Sequence, residues 1–401
     1  MEPLDYDVII VGAGMVGLTL ACALKESPLR IALVEASPPP KALPKSGFDL
    51  RVSAITRASE NIFTVLGAWE AMERRQPFRE MHVWDAAGSG VIHFDSADIG
   101  EDKLGYIIEN RVIQHALLQR LGEVSWHCPG KPEALKFHEE AVEVILEGGP
   151  SLKGKLVVGA DGADSRVRLL SGIRVRGWGY GQRALVTHVK TSESHRDTAW
   201  QCFLPTGPLA FLPLPENHCA VIWSTLEEEA ERLASLDEDA FLAELQLAFG
   251  TRLGRMLSAG PRATFPLRML HARQYVRPRL ALIGDAAHTI HPLAGQGANL
   301  GLLDAAALAE VIVEGIRGGR DPGSFLLLRR YERWRKGDNL LMLAAMEAFH
   351  RAFTSSFFPL RWARSLGLNL TNALPPLKNT FMRHAMGLSG DLPRLARGLP
   401  L

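Results

Sequence analysis

The first 35 residues constrain the fold more than any other part of the chain. An apolar run at residues 7–11 has the pattern of a buried parallel strand, and Gly12, Gly14 and Gly17 follow it into an Ala/Leu-rich helix. A second apolar strand then ends in Glu35. In such a βαβ unit the first glycine makes the tight turn and the second lets a pyrophosphate approach the backbone; the third packs helix on strand, and the acid binds ribose hydroxyls. We therefore predict a bound dinucleotide.

Two other interpretations of this segment remain open, a packing turn and a membrane anchor. Residues 8–24 form a run of 17 without a charged side chain, at the short end of the length that spans a bilayer. Three glycines at fingerprint spacing favour the dinucleotide turn over the anchor. Because the first strand begins so close to the first residue, we expect no signal peptide.

A second turn of the same kind lies about 270 residues further along the chain. The apolar residues 280–283 stop at Gly284 and Asp285, a polar loop follows, and residues 295–297, Gly-Gln-Gly, open a helix predicted to run to about Ile316. The two turns therefore belong to one nucleotide-binding domain whose sequence is interrupted.

Composition is typical of a large soluble enzyme. The length of 401 residues suggests two or three domains. Lys and Arg number 45 against 44 Asp and Glu, so no nucleic-acid partner is implied. The four cysteines show no CxxC or metal-binding spacing, which favours reduced thiols in a cytoplasmic compartment.

The order of patterns predicts an α/β protein with an α+β insert. A discontinuous Rossmann-like dinucleotide-binding domain is expected, with an inserted antiparallel-sheet domain, since alternating residues dominate from Leu185 to Thr225. We predict a nucleotide domain over residues 1–80, 100–180 and 272–350, a sheet domain over 81–99 and 181–271, and a C-terminal helical region over 351–401.

Four motifs together resemble a known family. The chain is similar to the flavin-dependent aromatic hydroxylases of the p-hydroxybenzoate-hydroxylase-like superfamily, and within them to the ubiquinone-biosynthesis hydroxylases, over nearly its whole length. The motifs are the glycine turn with Glu35, Asp-Leu-Arg-Val-Ser-Ala-Ile at 49–55, Gly-Ala-Asp-Gly-Ala-Asp-Ser-Arg at 159–166, and Gly-Asp-Ala-Ala-His at 284–288 with Pro-Leu-Ala-Gly-Gln-Gly at 292–297.

This resemblance implies FAD as the cofactor. Glu35 would bond the adenosine ribose, Arg51 the flavin-side phosphate or ring edge, and Asp285 the ribityl chain. The helix after Gly295 would direct its positive end at the flavin N1 and C2 oxygen, where reduced flavin carries negative charge. The implied cofactor-binding set is Gly12, Gly14, Gly17, Glu35, Arg51, Arg111, Asp161, Asp285, Pro292, Gly295, Gln296, Gly297 and Asn299.

Plainer roles remain open for three of these residues. Arg51 and Arg111 can be surface cations, and Asp285 can be a turn or helix-capping aspartate. By the same resemblance, NADH or NADPH reduces the flavin, and one oxygen atom of O2 reaches the ring of a polyprenylated phenol or benzoquinol through a flavin C4a-hydroperoxide. The chemistry belongs to the cofactor, and the protein supplies orientation and shielding.

His288 and His291 are the histidines closest to the expected flavin. Their spacing of one helical turn suggests a metal pair, but no third ligand follows and Pro292 breaks the helix, so we predict no metal. A structural role for His288 is open. His291 and Pro292 are the candidate catalytic residues, expected beside the flavin ring.

The inserted sheet and the C-terminal region offer further candidate surfaces. Four residues of the inserted sheet, three of them aromatic, are candidates for the wall of the aromatic pocket, or else ordinary core, namely Phe203, Phe211, Pro213 and Trp223. From Arg351 onward the chain carries seven Lys or Arg against one acid, with aromatic residues interleaved. This end is predicted either to rest on an anionic membrane where a polyprenyl substrate resides, or to form a helical cap.

The resemblance also implies partners beyond the substrate and O2. Other ubiquinone-biosynthesis proteins, a second copy of the chain and the inner membrane are expected partners. Two rival functions remain, another flavoenzyme class such as a halogenase or prenyl reductase, and a non-catalytic module that binds a prenylated quinone or assembles partners. The absence of a halogenase Trp-x-Trp-x-Ile-Pro motif counts against the first, and the intact glycines count against the second.

Overall fold

A computed structural model of the chain describes residues 4–39, 43, 47–291, 295–354 and 358–401. Its strands are β1 Tyr6–Val11, β2 Ile31–Val34, β3 Val52–Ile55, β4 Arg75–Phe78, β5 Glu80–Asp85, β6 Val91–Asp95, β7 Gly105–Glu109, β8 Ser125–His127, β9 Pro132–Phe137, β10 Val142–Leu146, β11 Ser151–Gly159, β12 Val175–Thr191, β13 Thr198–Leu204, β14 Gly207–Leu214, β15 His218–Leu226, β16 Met256–Ala259, β17 Ala263–Ala272, β18 Val276–Arg277, β19 Leu280–Leu282 and β20 His288–Thr289. Its helices are α1 Met15–Leu24, α2 Arg57–Val65, α3 Asn110–Arg120, α4 Arg166–Leu170, α5 Glu227–Ser235, α6 Glu238–Phe249, α7 Gln296–Arg317, α8 Phe325–Thr354, α9 Phe358–Ala373 and α10 Pro375–Ala385.

The first large sheet is built around parallel strands. Its order is β18, β19, β11, β1, β2, β8, with the β9–β10 hairpin attached to β11. Strand β1 pairs in parallel with both β2 and β11, and β11 pairs in parallel with β19. Every residue from Val8 to Val11 is buried, which is why this strand is a continuous apolar run rather than an alternating one.

The second large sheet is antiparallel except at one junction. Its order is β20, β17, β12, β15, β14, β13, β5, β6, and β5 joins β13 in parallel. Helices α5 and α6 cover one face, where Phe211, Leu245 and Phe249 share a buried cluster. The sheet therefore draws strands from two separate stretches of chain, around residues 80–95 and 175–289. A small sheet of order β3, β7, β4 is separate from both large sheets.

The C-terminal helices are held by buried contacts. The Arg364 guanidinium in α9 donates to both carboxylate oxygens of Asp85, at 2.8 and 3.1 Å. Further on, Leu395 and Ala396 belong to the main core around β1. Among the described residues, no helix combines the length and apolar character needed to cross a bilayer.

The predicted fold class is confirmed, and so are the main elements near the turns. Helix α7 ends one residue beyond the predicted Ile316, and a turn at Glu216 and Asn217 connects β14 to β15 with positive φ at both residues. The β9–β10 hairpin and the first part of the 17-residue β12 were not predicted. The predicted domain boundaries stay a prediction.

Candidate cofactor site

The candidate site follows one edge of the parallel sheet. Strands β2, β1, β11 and β19 are successive neighbours, and their carboxyl ends lead into Glu35, Gly12, Asp161 and Gly284 respectively. Adjacent strands lie about 4.8 Å apart, so these ends span about 14 Å in that order. Ligands of open α/β sheets bind outside the carboxyl ends of strands. The residues predicted from segments 270 positions apart are thus brought into one row.

The three glycines of the first turn have different surroundings. Gly12 has φ of +105°, and a Cβ there would overlap the carbonyl oxygen of Ala160. A Cβ on Gly17 would overlap the carbonyl oxygen of Gly12. Gly14, at the N-terminus of α1, is exposed, and no heavy atom of the described residues lies within 4 Å of a Cβ position there. Two glycines therefore serve packing, and the third opens the helix end to a ligand.

Two side chains bind the backbone of this turn from either side. The Glu35 carboxylate accepts from the Ala13 amide at 2.7 Å, and the Gln114 side chain donates to the Ala13 carbonyl at 2.8 Å. Glu35 also accepts from the Ser37 amide with its other oxygen. The acid predicted to bond ribose is thus positioned at the glycine turn, with part of its hydrogen-bonding capacity used by protein.

Asp161 is engaged by the turn that contains it. Its carboxylate accepts from the Ser165 hydroxyl at 2.5 Å and from the Val167 amide at 3.1 Å, at the start of α4. Burial raises the pKa of Asp161 in spite of these bonds. Its neighbour Arg168, which sequence reasoning missed, donates to the carbonyls of Ala163 and Ala286. Arg168 therefore ties the β11 turn to the turn that carries Asp285.

Asp285 is the acid in the row without a bonded partner. Among the described residues, no group donates a hydrogen bond to its carboxylate; only its backbone carbonyl is bonded, by Thr289. Burial raises the pKa of Asp285, against the opposing charges of His288, Arg51 and Arg268. A half-buried carboxylate with free lone pairs is costly unless a ligand supplies donors, which the hydroxyls of a ribityl chain can do.

His288 pairs with a carboxylate of α7, an arrangement that a structural role would require. Its Nε2 lies 2.5 Å from an oxygen of Asp304 in α7, and both residues are fully buried. Asp304 also accepts from the Gly284 amide, Arg335 and Asn339. Burial acts to raise the pKa of Asp304, but these partners outweigh it and lower the pKa. This network anchors the second turn onto α7.

Helix α7 begins where the second turn requires it. Gly295 is in the left-handed conformation with φ of +61°, and in the described part of the chain only Ile290 lies within 4 Å of a Cβ position on Gly297. The Gln296 side chain donates to the carbonyl of Ala385. The free amide groups of the first helical turn carry the positive end of the helix dipole.

The Asn299 side chain is hydrogen-bonded within the protein and does not face an open ligand site. Its side-chain oxygen accepts from the Thr56 amide at 3.1 Å and from the Ser59 hydroxyl at 2.8 Å. Its amide nitrogen donates to the carbonyls of Ala54 and Gly295. With its donors and acceptor taken, Asn299 fixes the start of α7 against β3 and α2.

The two predicted arginines differ. Arg51, directly before β3, is exposed, with its guanidinium 5.8 Å from the Phe265 ring. Arg111 in α3 is bonded to the buried carboxylate of Glu109 at 2.7 Å. Glu109 also binds Arg74 at 3.0 Å. Arg51 is therefore free to meet an anion near Asp285, whereas Arg111 is already neutralised by protein.

His291 is buried without a described partner for either ring nitrogen. Burial, with a contribution from His350, lowers the pKa of His291 to about 3, so the ring is neutral at pH 7. Its ring meets the edge of Tyr180 at 5.0 Å between centroids, and the Tyr180 hydroxyl donates to Glu347 at 2.7 Å. Pro292, the other catalytic candidate, lies outside the described residues.

A cavity of about 450 Å³ lies along β12 and β17. Its walls include Trp178, Gln182, Arg268 and Met269. Arg268 also acts on the charge of Asp285, so this part of the cavity wall lies near the second turn.

Among the aromatic lining candidates, two are ordinary core. Phe211 and Trp223 belong to the cluster under α6, where Phe211 lies 4.0 Å from the Phe249 ring. Phe203 points elsewhere and stacks on Phe353 of α8 at 3.8 Å.

The residues present fit a flavin dinucleotide. Gly14 opens a helix N-terminus to space, Asp285 holds unused acceptors, and α7 aims its N-terminus at the same edge. An elongated ligand running from Glu35 to Gly295 would meet each of these in turn.

Comparison with known proteins decides the family. A family model described as an FAD binding domain matches residues 5–337. The chain belongs to this FAD-binding family. Relatives within it are ubiquinone hydroxylase UbiL of Rhodospirillum rubrum, 42% identical over 98% of this chain and 93% of that protein, and 3-demethoxyubiquinol 3-hydroxylase of Escherichia coli, 39% identical over 95% and 98%. The mitochondrial ubiquinone biosynthesis monooxygenase COQ6 of Homo sapiens is 37% identical over 95% and 92%.

Solved structures agree on the fold. The p-nitrophenol 4-monooxygenase PnpA of Pseudomonas putida superposes with a TM-score of 0.78, covering 96% of this chain and 99% of that one at 20% identity. HpxO of Klebsiella pneumoniae, solved with FAD and uric acid, gives 0.73 over 95% and 96% at 20% identity. The FAD-binding family and its fold are thereby established for this chain.

Proposed function

We propose that the chain is an FAD-dependent monooxygenase that hydroxylates the aromatic ring of a polyprenylated phenol or benzoquinol in ubiquinone biosynthesis. The observation that carries the proposal is the row of Glu35, Gly14, Asp285 and the α7 N-terminus along one sheet edge. The names of the relatives, which are ubiquinone hydroxylases and monooxygenases, supply the reaction class.

In this proposal each residue of the row meets one part of FAD. Glu35 holds the adenosine ribose, the amides after Gly14 hold the pyrophosphate, and Asp285 accepts from the ribityl hydroxyls. The amides after Gly295 face the flavin pyrimidine edge. The bound cofactor supplies electron transfer from NADH or NADPH and oxygen activation, and the chain supplies position and shielding.

Two predicted residues act indirectly in this proposal. The Asn299 amide, already bonded to five protein groups, positions α7, and the Asp161 carboxylate positions the β11 turn. Arg111 stabilises Glu109 beneath the site. Neutral His291 is the polar group best placed to bond a ring hydroxyl, because one ring nitrogen donates and the other accepts.

The cavity along β12 and β17 is the proposed approach to the ring. Trp178 and Met269 give it apolar and polarisable walls, and Arg268 connects it with Asp285. The division into a nucleotide domain and an inserted sheet domain, at the predicted boundaries, belongs to the same proposal: the sheet domain covers the flavin end and excludes water.

The test of this function uses the purified full chain. Reconstituted with FAD and supplied with NADH or NADPH, O2 and a polyprenylated phenol, it should be yellow and should add one oxygen atom per reduced nicotinamide consumed. Asp285→Ala should lose flavin, whereas Asp164→Ala, an exposed aspartate paired with Arg268, should keep it. A colourless protein after reconstitution, or nicotinamide oxidation without hydroxylated product, contradicts the proposal.

Gene deletion identifies the substrate in the cell. The prenylated intermediate that accumulates names the missing hydroxylation. Unchanged quinone levels, in a strain without a second such hydroxylase, contradict the pathway assignment.

We further propose that α9 and α10 rest on the membrane that holds the prenylated substrate. Side chains about half exposed recur every three or four residues along both helices, namely Trp362, Leu366, Leu370, Leu374, Leu377 and Phe381. Three of the cations counted in the basic C-terminal region are paired with acids of the protein. Arg364 is paired with Asp85, Lys378 with Asp98 and Arg351 with Glu347. Apolar insertion rather than charge therefore drives this contact.

A further inference from the structure

A cluster of metal-binding residue types lies far from the flavin row, at the edge of the second sheet. Glu80 and His82 are on β5, and His93 is directly opposite His82 on the edge strand β6. Because alternate residues of a strand share a face, Glu80 and His82 both face His93. The three side chains are each about one third exposed.

The ligand atoms converge on one point. An Oε2 of Glu80 lies 2.8 Å from Nε2 of His93 and 3.5 Å from Nε2 of His82, and all three residues offer a ligand atom within 4.8 Å of the others. Tetrahedral zinc, bound at about 2.0–2.1 Å, holds its ligand atoms about 3.3 Å apart. Small side-chain adjustments therefore suffice to bring these atoms to coordination distance.

The surroundings restrict the two histidine rings. His82 is stacked between His93, at 4.1 Å, and Trp200, at 4.7 Å between ring centroids. Arg252, close enough to act on the His82 ring, limits the affinity by repulsion.

We propose that Glu80, His82 and His93 form a site for a divalent transition-metal ion of the zinc type. Two imidazoles and a carboxylate suit such ions, and a water molecule completes the coordination. The sequence spacing of these three residues did not indicate a site. The expectation of no metal concerned a different pair, His288 and His291. The three residues become neighbours only through the β5–β6 hairpin.

The site has a structural consequence. The His93 backbone amide donates to Asn372 of α9 at 3.1 Å, and its carbonyl accepts from Lys378 of α10 at 3.1 Å. A metal that joins His93 to Glu80 and His82 therefore fixes the edge strand against β5. Because α9 and α10 are hydrogen-bonded to the same strand, bound metal stabilises the attachment of these helices.

The direct experiment is Zn²⁺ binding by the FAD-loaded full chain, measured by calorimetry after removal of metal with a chelator. The wild-type chain should bind one Zn²⁺ with micromolar affinity. The variants His82→Ala, His93→Ala and Glu80→Gln should each lose at least tenfold in affinity. His138→Ala, which removes an exposed histidine from the β9–β10 turn, should bind as the wild type does.

Two further measurements on the same samples separate coordination from misfolding. Co²⁺ added to the wild type should give visible d–d absorption, which the His82→Ala/His93→Ala variant lacks. Zn²⁺ should slow proteolysis of α9 and α10 in the wild type alone. Any of three results overturns the proposal. They are equal Zn²⁺ affinity in the wild type and the double variant, no binding to the wild type at about 100 μM Zn²⁺, and a wild-type Co²⁺ spectrum in the double variant. Flavin content shows that the variants are folded.

Discussion

Gly12 and Gly14 are two residues apart in one turn and are glycines for different physical reasons. Gly12 has a positive φ and no room for a Cβ beside Ala160, so the apoprotein itself requires it. Gly14 has φ of −70° and ψ of 178°, which any residue adopts, and open space where its Cβ would be. The proposed approach of a pyrophosphate to the backbone accounts for glycine at this position.

The two positions therefore separate folding from cofactor binding. Gly14→Ala should leave the thermal unfolding of the apoprotein unchanged and weaken FAD binding at least tenfold, or about 1.4 kcal/mol. Gly12→Ala should lower the free energy of unfolding by about 2 kcal/mol or more. Calorimetric unfolding of apoprotein and fluorescence titration with FAD measure the two effects. Normal FAD affinity in Gly14→Ala contradicts the pyrophosphate assignment.

His291 makes stability depend on pH. The folded chain keeps this buried ring neutral down to a pKa of about 3, whereas the unfolded chain takes up a proton below the ordinary value of 6.5. Stability is therefore full above pH 6.5 and falls as the pH is lowered toward 3, by about 1.4 kcal/mol per pH unit from this one group.

The variant His291→Leu tests this pH dependence. Denaturant unfolding of apoprotein between pH 7 and 4 should show a slope smaller by one proton than in the wild type. Identical slopes contradict the lowered pKa. Separately, normal turnover with normal FAD content in His291→Ala would exclude a catalytic role for this residue.

At the residue scale, the sequence motifs predicted where a residue lies in the fold better than which groups its side chain contacts. Glu35, Gly14 and Asp285 lie at the ligand edge because the strands before them are recognisable from apolar runs. Asp304 and Arg168 were missed because each bonds a partner that is distant in sequence. Asp304 pairs with His288, 16 residues away, and Arg168 with Ala286, 118 residues away. A buried hydrogen bond between distant residues has no periodic signature in the sequence.

At the scale of elements, α7 is the central one, and Asn299 determines where it starts. The side chain joins α7 to Thr56 and Ser59 of the β3–α2 junction and to Ala54 of β3. Removing it leaves buried donors and acceptors unpaired, at about 1–3 kcal/mol for each group. The position of the helix N-terminus at the flavin end depends on these bonds.

We expect Asn299→Ala to lower the free energy of unfolding by about 3 kcal/mol and to weaken FAD binding. Gln296→Ala, three residues earlier, loses one exposed hydrogen bond and should change stability by less than about 0.5 kcal/mol. Chemical denaturation of both variants gives the comparison. Equal destabilisation by the two substitutions would show that Asn299 has no special positioning role.

Elements were predicted well where one pattern extends over several residues and poorly where tertiary pairing decides. The apolar run of β1 and the long periodic α7 were clear. The β9–β10 hairpin was missed because β9 does not alternate in burial, although its partner β10 does. Strand β12 begins ten residues before the predicted sheet because Gly177 and Gly179 interrupt its pattern, and β17 pairs with it there nonetheless.

At the scale of the whole molecule, the C-terminal helices connect the catalytic fold to a surface. Deleting residues after Arg351 is an unsuitable test of membrane binding, because Met382, Met386 and Leu395 are part of buried clusters and Arg364 is bonded to Asp85. Loss of these contacts would unfold the sheet edge as well as remove the surface. Substitutions confined to exposed apolar side chains keep the fold and change only the surface.

The variant Leu366→Ser/Leu370→Ser/Phe381→Ser removes three exposed apolar side chains of this surface. Each contributes about 1.5 kcal/mol when inserted among lipid chains, so binding to phosphatidylcholine vesicles should fall at least tenfold. Leu247→Ser, an exposed leucine of α6, should bind as the wild type does. Because the nearby cations are paired within the protein, wild-type co-sedimentation should persist at high salt and need no anionic lipid. Binding that disappears with salt, or that survives the triple substitution, would mean that another, charged face of the molecule meets the bilayer.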